Sequence, residues 1–194
     1  SKLKLPTTAK TGYRPLFSDI KSVATGGAIT TSDKDTDLFS ISQSDMTPAT
    51  LLNNFKTDAK LKNLTLDIQL KLLNYLGHDL PLDTTPLPAA LSSPKDPFTS
   101  MGASIHSFPV QMTYKGVLDA NGNLTDASVA NSRDQSLLYG SSEGALRIVN
   151  AATGEEQMVF VPAQILTSAA SKALRKGSSD TNGMTHGISG AWIA

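Results

Sequence analysis

The chain has no cysteine, no net charge and no long apolar run, and each lack removes a class of protein. Without cysteine there is neither a disulfide scaffold nor a thiolate-ligated zinc site. The absence does not assign a compartment, because exported bacterial proteins often lack cysteine too. The formal charge is +0, with 17 basic and 17 acidic residues. No electrostatic stripe is left for nucleic acid or for an acidic lipid surface, so neither is expected as a partner. No apolar run approaches the roughly 20 residues that span a bilayer, and no transmembrane segment is expected. The opening SKLKLP lacks the apolar region of a signal peptide, which puts any export signal upstream. Apolar residues make up 39% of the 194, while Ser, Thr, Gly and Pro are plentiful. That balance suits a loop-rich, mainly β chain and is too apolar for wholesale disorder.

The most structured signal runs from Leu137 to Pro162, LLYGSSEGALRIVNAATGEEQMVFVP. Two apolar strands, LLYG and ALRIVN, are joined by Ser-Ser-Glu-Gly, and a third, QMVFVP, follows Ala-Ala-Thr-Gly-Glu. Gly144 and Gly154 stand where tight turns require positive φ. The pattern reads as a unit of a four-stranded propeller blade. A blade cannot bury both faces alone, so one blade implies neighbours that stack on it.

Ahead of this unit, PLFSDIKSV, GGAIT and DLFSIS read as short strands or extended arms. Thr47-Pro48 opens a helix, with a hydroxyl N-cap before proline, and Ala49, Leu51, Leu52 and Phe55 are expected to face inward. A second helix carries Leu64, Leu66, Ile68, Leu70, Leu72, Leu73 and Leu76 on one broad face and stops at Gly77. Such crowding implies burial against more than a helix pair. Residues 81–97 then hold five prolines in 17 positions, which excludes helix and central strand. This connector, about residues 80–97, divides a lead-in (1–97) from the β-rich remainder (98–194). Beyond it, ASIHSFPVQMTYKGVL is strand material and Asp119 to Asn123 a hairpin turn. Pro162 to Arg175 predicts a short amphipathic helix with Ile165, Leu166, Ala169, Ala173 and Leu174 on one side. HGISGAWIA reads as a last strand with no closing partner after it, which predicts a truncated propeller.

Several patches, in order, resemble the type IV pilus biogenesis and tip-adhesin proteins of the PilY kind. Leu73-Asn-Tyr-Leu-Gly-His-Asp79 is similar to that family's valine-asparagine-tyrosine-leucine-arginine-glycine-aspartate helix end. Met101-Gly102, Ile105-His106-Ser107 and Pro109-Val110 look like its histidine-serine-serine-proline-valine strand. Tyr139-Gly140, Glu143-Gly144 and Leu146 look like its blade, Asn150 to Glu156 like the turn that follows, and Phe160-Val161-Pro162 like its strand-to-helix step. His186 with Gly190 is similar to the start of its next strand. The likeness covers about residues 66 to 194. Glu143 replaces the usual aspartate, Ala103 another, and Arg147 the usual histidine. The resemblance implies a partial, modified, quinoprotein-like β-propeller preceded by a short helical and extended segment. It further implies an exported, non-enzymatic protein of the bacterial cell surface, at the pilus tip or outer membrane, acting in pilus biogenesis, extension and retraction, and adhesion. Its partners would be the remainder of the propeller chain, minor pilins at the pilus tip and a host-surface receptor. Calcium would be bound elsewhere in the full-length protein, with no cofactor in this stretch.

The Ala-Ala-Thr-Gly-Glu turn also resembles pyrroloquinoline-quinone dehydrogenases and repeat scaffolds for envelope assembly. In those blades a tryptophan follows the glycine by four residues, and here Met158 stands in that place. No cofactor pocket, calcium ligands or catalytic carboxylate can be assigned for the enzyme reading. Asp33, Asp35 and Asp37 open like a calcium loop, but Leu38 and Ser44 occupy the places where glycine and a final acidic ligand are wanted. Asp119, Asn121, Asn123 and Asp126 form a second candidate, and the same residues suit a type I′ hairpin. His78, His106 and His186 have no metal-ligand spacing. Ser189 lies one residue short of a nucleophile elbow and lacks an assignable base. His78-Asp79 falls where some family members carry arginine-glycine-aspartate, without the arginine. Trp192, the sole tryptophan, reads as core. No catalytic, cofactor-binding or metal-ligating residue is assigned.

Overall fold

The computed structural model describes residues 13–32, 38–81, 83–94, 107–125, 133–168, 171 and 174. The first strands are short because polar residues break them every few positions. Asp19 separates β1 (Leu16–Ser18) from β2 (Ile20–Val23), and β3 (Ile29–Thr31) and β4 (Phe39–Ser42) follow. β2 and β3 form a hairpin of their own. Helix α1 (Pro48–Thr57) starts as its residues require, with the Thr47 hydroxyl accepting from the Thr50 N–H and Pro48 in the first turn. Leu51, Leu52 and Phe55 are buried. Ala49 is exposed rather than inward, because it lies on the opposite side of the first turn.

Helix α2 (Leu66–Tyr75) is buried from Ile68 to Tyr75 on every side. A helix enclosed all round must satisfy each polar side chain internally. Gln69 donates to the Leu61 carbonyl at 2.7 Å, and Asn74 donates to those of Leu70 and Leu80 at 2.9 and 2.8 Å. Lys71 Nζ reaches Asp67 at 2.6 Å and Ser171 Oγ at 3.0 Å. Gly77, at φ 103°, ends the helix in a Schellman motif, with the His78 N–H on the Leu73 carbonyl and the Gly77 N–H on that of Asn74.

The main sheet has six strands in the order β4-β1-β8-β7-β6-β5. β5 (Val110–Gly116), β6 (Arg133–Gly140), β7 (Leu146–Asn150) and β8 (Glu156–Phe160) form an antiparallel meander. β1 joins the far side of β8 in parallel, and β4 closes that edge antiparallel to β1. The meander turns form where expected. Gly144 sits at φ +83°, and a Cβ placed there would lie 2.6 Å from Ile165 Cγ2, so both conformation and space demand glycine. The strands differ in extent from the sequence reading. β5 begins only at Val110, β6 already at Arg133, and β8 stops before Val161-Pro162. The turn after β5 is a five-residue connection closed by a Leu118–Leu124 bridge, wider than a two-residue type I′ turn. Helix α3 spans Ala163–Thr167; Leu166 and Leu174 are buried and Ile165 half-buried. Ala169 and Ala173 lie outside the described residues, as do the expected strands over residues 101–106 and 186–194.

The fold is mainly β, with few helices. One buried cluster unites Tyr13, Leu16, Ile41, Leu51, Phe55, Leu72 and Leu73 with Ala145, Val159, Val161 and Leu166. Residues from both sides of the proline-rich connector therefore share a core. The described residues of the connector add no helix or strand, and its Leu87 and Leu91 pack on that cluster while Lys56 Nζ donates to the Pro88 carbonyl at 2.9 Å.

Candidate functional site

Alternation along β7 directs Arg147 and Val149 to the core and Leu146 and Ile148 to the other face. An arginine in an inward register needs counter-charges inside, and three elements supply its partners. Arg147 makes ion pairs with Glu143, from the β6–β7 turn, and with Glu156, at the start of β8. It also donates to the Tyr75 hydroxyl of α2 at 2.9 Å, and that hydroxyl donates to Glu143 at 3.3 Å. Arg14, just ahead of β1, brings Nε to 3.3 Å from Glu156 and lays its guanidinium 4.4 Å above the Tyr75 ring. Arg147 and Glu156 are fully inaccessible to solvent, and Arg14 and Glu143 nearly so.

Two arginines and two glutamates make the cluster neutral, which is the condition for burying four charges at tolerable cost. Burial penalises the Arg147 charge, but Tyr75, Glu143 and Glu156 outweigh it and hold the guanidinium protonated. Burial pushes the Tyr75 phenol far above its ordinary value, against the lowering effect of Arg147 and Arg14. Tyr139 is raised by burial as well. With no solvent-accessible side, this cluster cannot receive a substrate; it ties α2, the lead-in to β1 and the β7–β8 hairpin together. Glu143 and Arg147, the two blade positions at which the chain departs from the pilus-type pattern, are bound to each other within it. Sequence reasoning left them apart. The available signal was a charged residue at an inward position of an alternating strand.

The opposite face of the sheet is apolar as well. Leu146, Ile148, Met158 and Phe160, with Leu38 beside them, line an open cavity of about 280 Å³. A sheet apolar on one face needs one covering layer, whereas one apolar on both needs two. Among the described residues, the core supplies the first, and the second face stays half-buried. Met158, at the position where tryptophan docks blades in the quinone enzymes, lines this second face. Along the outer edge, Tyr114 of β5 is exposed, as are Phe108 before the strand and Val117 and Leu118 after it. Pro109, Lys115 and a register break between Thr113 and Lys115 guard that edge against strand addition.

The other singled-out residues fall as follows. Asp119 Oδ1 accepts the N–H groups of Asn121 and Asn123 at 2.8 and 2.9 Å, bonds that hold its carboxyl below the usual range. It is built into its turn. His78 is buried against Tyr13, while Asp79 beside it is exposed. Asp33, Asp35, Asp37, Ala103, His106, Asp126, His186, Ser189 and Trp192 lie outside the described residues. Among the described residues, no group of three or more His, Asp or Glu side chains is placed to hold a metal ion. None of their helices is long and apolar enough to cross a membrane. No protein-family model, curated protein or solved structure matches the chain.

Proposed function

We propose that the chain is a non-enzymatic structural module that works through protein–protein contacts. The observation that carries this reading is the apolar face of Leu146, Ile148, Met158 and Phe160 on a sheet whose other face is already buried. Its occupant is a second β-sheet of the same propeller. An apolar, uncharged sheet face suits another twisted sheet packed about 10 Å away, and the β5–β8 meander has the strand order of one blade. The residue likeness set out above extends this to a pilus-tip protein of the PilY type. The module would then support pilus biogenesis and surface attachment at the bacterial envelope, with minor pilins or a host-surface receptor as partners and calcium held elsewhere in the full-length protein.

The pilus reading has a direct test. Deleting the gene in its source organism is expected to remove surface pili and abolish twitching, and a plasmid copy restores both. Unchanged piliation and motility in the deletion strain would remove the pilus assignment and leave a scaffold of another envelope assembly.

A further inference from the structure

The six-stranded sheet is made of two parts, the β4-β1 pair and the β5–β8 meander, and they meet along one seam. That seam is short and parallel, with residue pairs Leu16–Val159 and Phe17–Phe160. The Val159 N–H donates to the Pro15 carbonyl at 2.8 Å and the Val161 N–H to that of Phe17 at 2.9 Å. Immediately before Pro15 the chain is clamped twice. Arg14 pairs with Glu156 and accepts from Ser42 Oγ on its carbonyl at 2.8 Å. Tyr13, wholly buried, places its hydroxyl 2.7 Å from His78 Nε2.

We propose that the Tyr13–His78 pair is an acid-sensitive latch that holds the β1–β8 seam closed while the imidazole is neutral. The neutral ring accepts the Tyr13 O–H at Nε2 and carries its own proton on Nδ1. Protonation turns both ring nitrogens into donors, deprives the phenol of its acceptor and sets a cation in the interior against Tyr13, the residue before Arg14. No anionic side chain among the described residues meets the imidazole to offset that charge. The lead-in contributes the Tyr13 phenol, whose own pKa burial pushes up to about 12. The proline-rich connector contributes the Ser92 main chain, and Asp79, next in sequence, lies exposed. Burial lowers the His78 pKa, and the Ser92 backbone opposes that without an anionic side chain to assist. A histidine depressed in the folded state binds its proton more readily once the seam opens. Closure is therefore favoured above the ordinary histidine value of about 6.5 and weakens as pH falls below it.

Amide hydrogen exchange reads the seam directly. Between pH 7.5 and 5.5, after correction for intrinsic exchange, protection at Val159 and Val161 should fall by up to about tenfold, the limit set by a reference pKa near 6.5. Protection at Ile148, inside the meander, should hold. His78→Gln keeps an acceptor for the Tyr13 hydroxyl without a titrating group, and its seam protection should be the same at both pH values. In the wild type, the imidazole NMR resonances of His78 should titrate below 6.5, a measurement that stands even if the variant folds poorly. An equal acid loss in His78→Gln, a matching loss at Ile148, or titration at or above 6.5 would each overturn the latch.

Discussion

Replacing Arg147 by methionine removes one cation from a neutral set of four buried charges. Glu156 keeps Arg14, at 3.3 Å, whereas Glu143 loses the guanidinium it pairs with and keeps contacts to the Tyr75 and Ser141 hydroxyls. Methionine approximates the arginine stem in volume, so the cavity contribution is small and the loss is chiefly electrostatic. Breaking a buried pair by removing one partner costs about 3–5 kcal/mol, a large share of the ~5–15 kcal/mol that holds a domain folded. The assay is urea denaturation at pH 7.5, with the change taken from the midpoint at constant slope. Two features separate this account from simple loss of packing. Arg147→Met combined with Glu143→Leu restores neutrality and should recover most of the loss, since apolar replacement of a whole pair is often neutral or better. The penalty of the single variant should also shrink on acidification, because a proton can stand in for the missing cation. A single variant within about 1 kcal/mol of wild type, or a double variant as unstable as the single one, would refute the reasoning.

The other predictions concern backbone and caps. Gly144→Ala faces positive φ and a 2.6 Å contact with Ile165, whereas Gly154→Ala, at φ +70°, has nothing within 4 Å. Denaturation midpoints should put Gly144→Ala at about 2–3 kcal/mol and Gly154→Ala at about 1 kcal/mol; equal costs would mean that the Ile165 contact yields freely. Thr47→Ala removes the hydroxyl that caps α1 at 3.1 Å and should cost about 1 kcal/mol, while Thr47→Ser should be nearly neutral.

Local chemistry was legible in the sequence and long-range pairing was not. Thr47-Pro48, Gly77, Gly144 and Gly154 act where their conformational preferences place them, because each is decided within a few residues. The β6–β8 part of the meander follows for the same reason, being joined by short turns, whereas residues 117–132 separate β5 from β6. The parallel insertion of β1 beside β8 brings Leu16 to Val159, across most of the chain, and no local pattern encodes such a partner. The full enclosure of α2 was foreshadowed by its leucines, but Gln69, Lys71 and Asn74 gave no sign that their partners would be buried too. The ionic cluster was missed because Glu143 and Arg147 stand out in the sequence only as departures from a family pattern, and Glu156 only as the end of a turn. Only the inward phase of β7, together with Arg14 and Tyr75 from distant segments, makes them one unit.

The claim at the centre of this account is that the face built by Leu146, Ile148, Met158 and Phe160 is a contact surface. Sedimentation velocity of the isolated chain across a concentration series tests it most directly. The account predicts concentration-dependent association of the wild type, and a monomer at every concentration for Ile148→Lys with Met158→Glu, whose melting temperature stays close to that of the wild type. A wild-type chain that remains a compact monomer of high melting temperature throughout the series would contradict it.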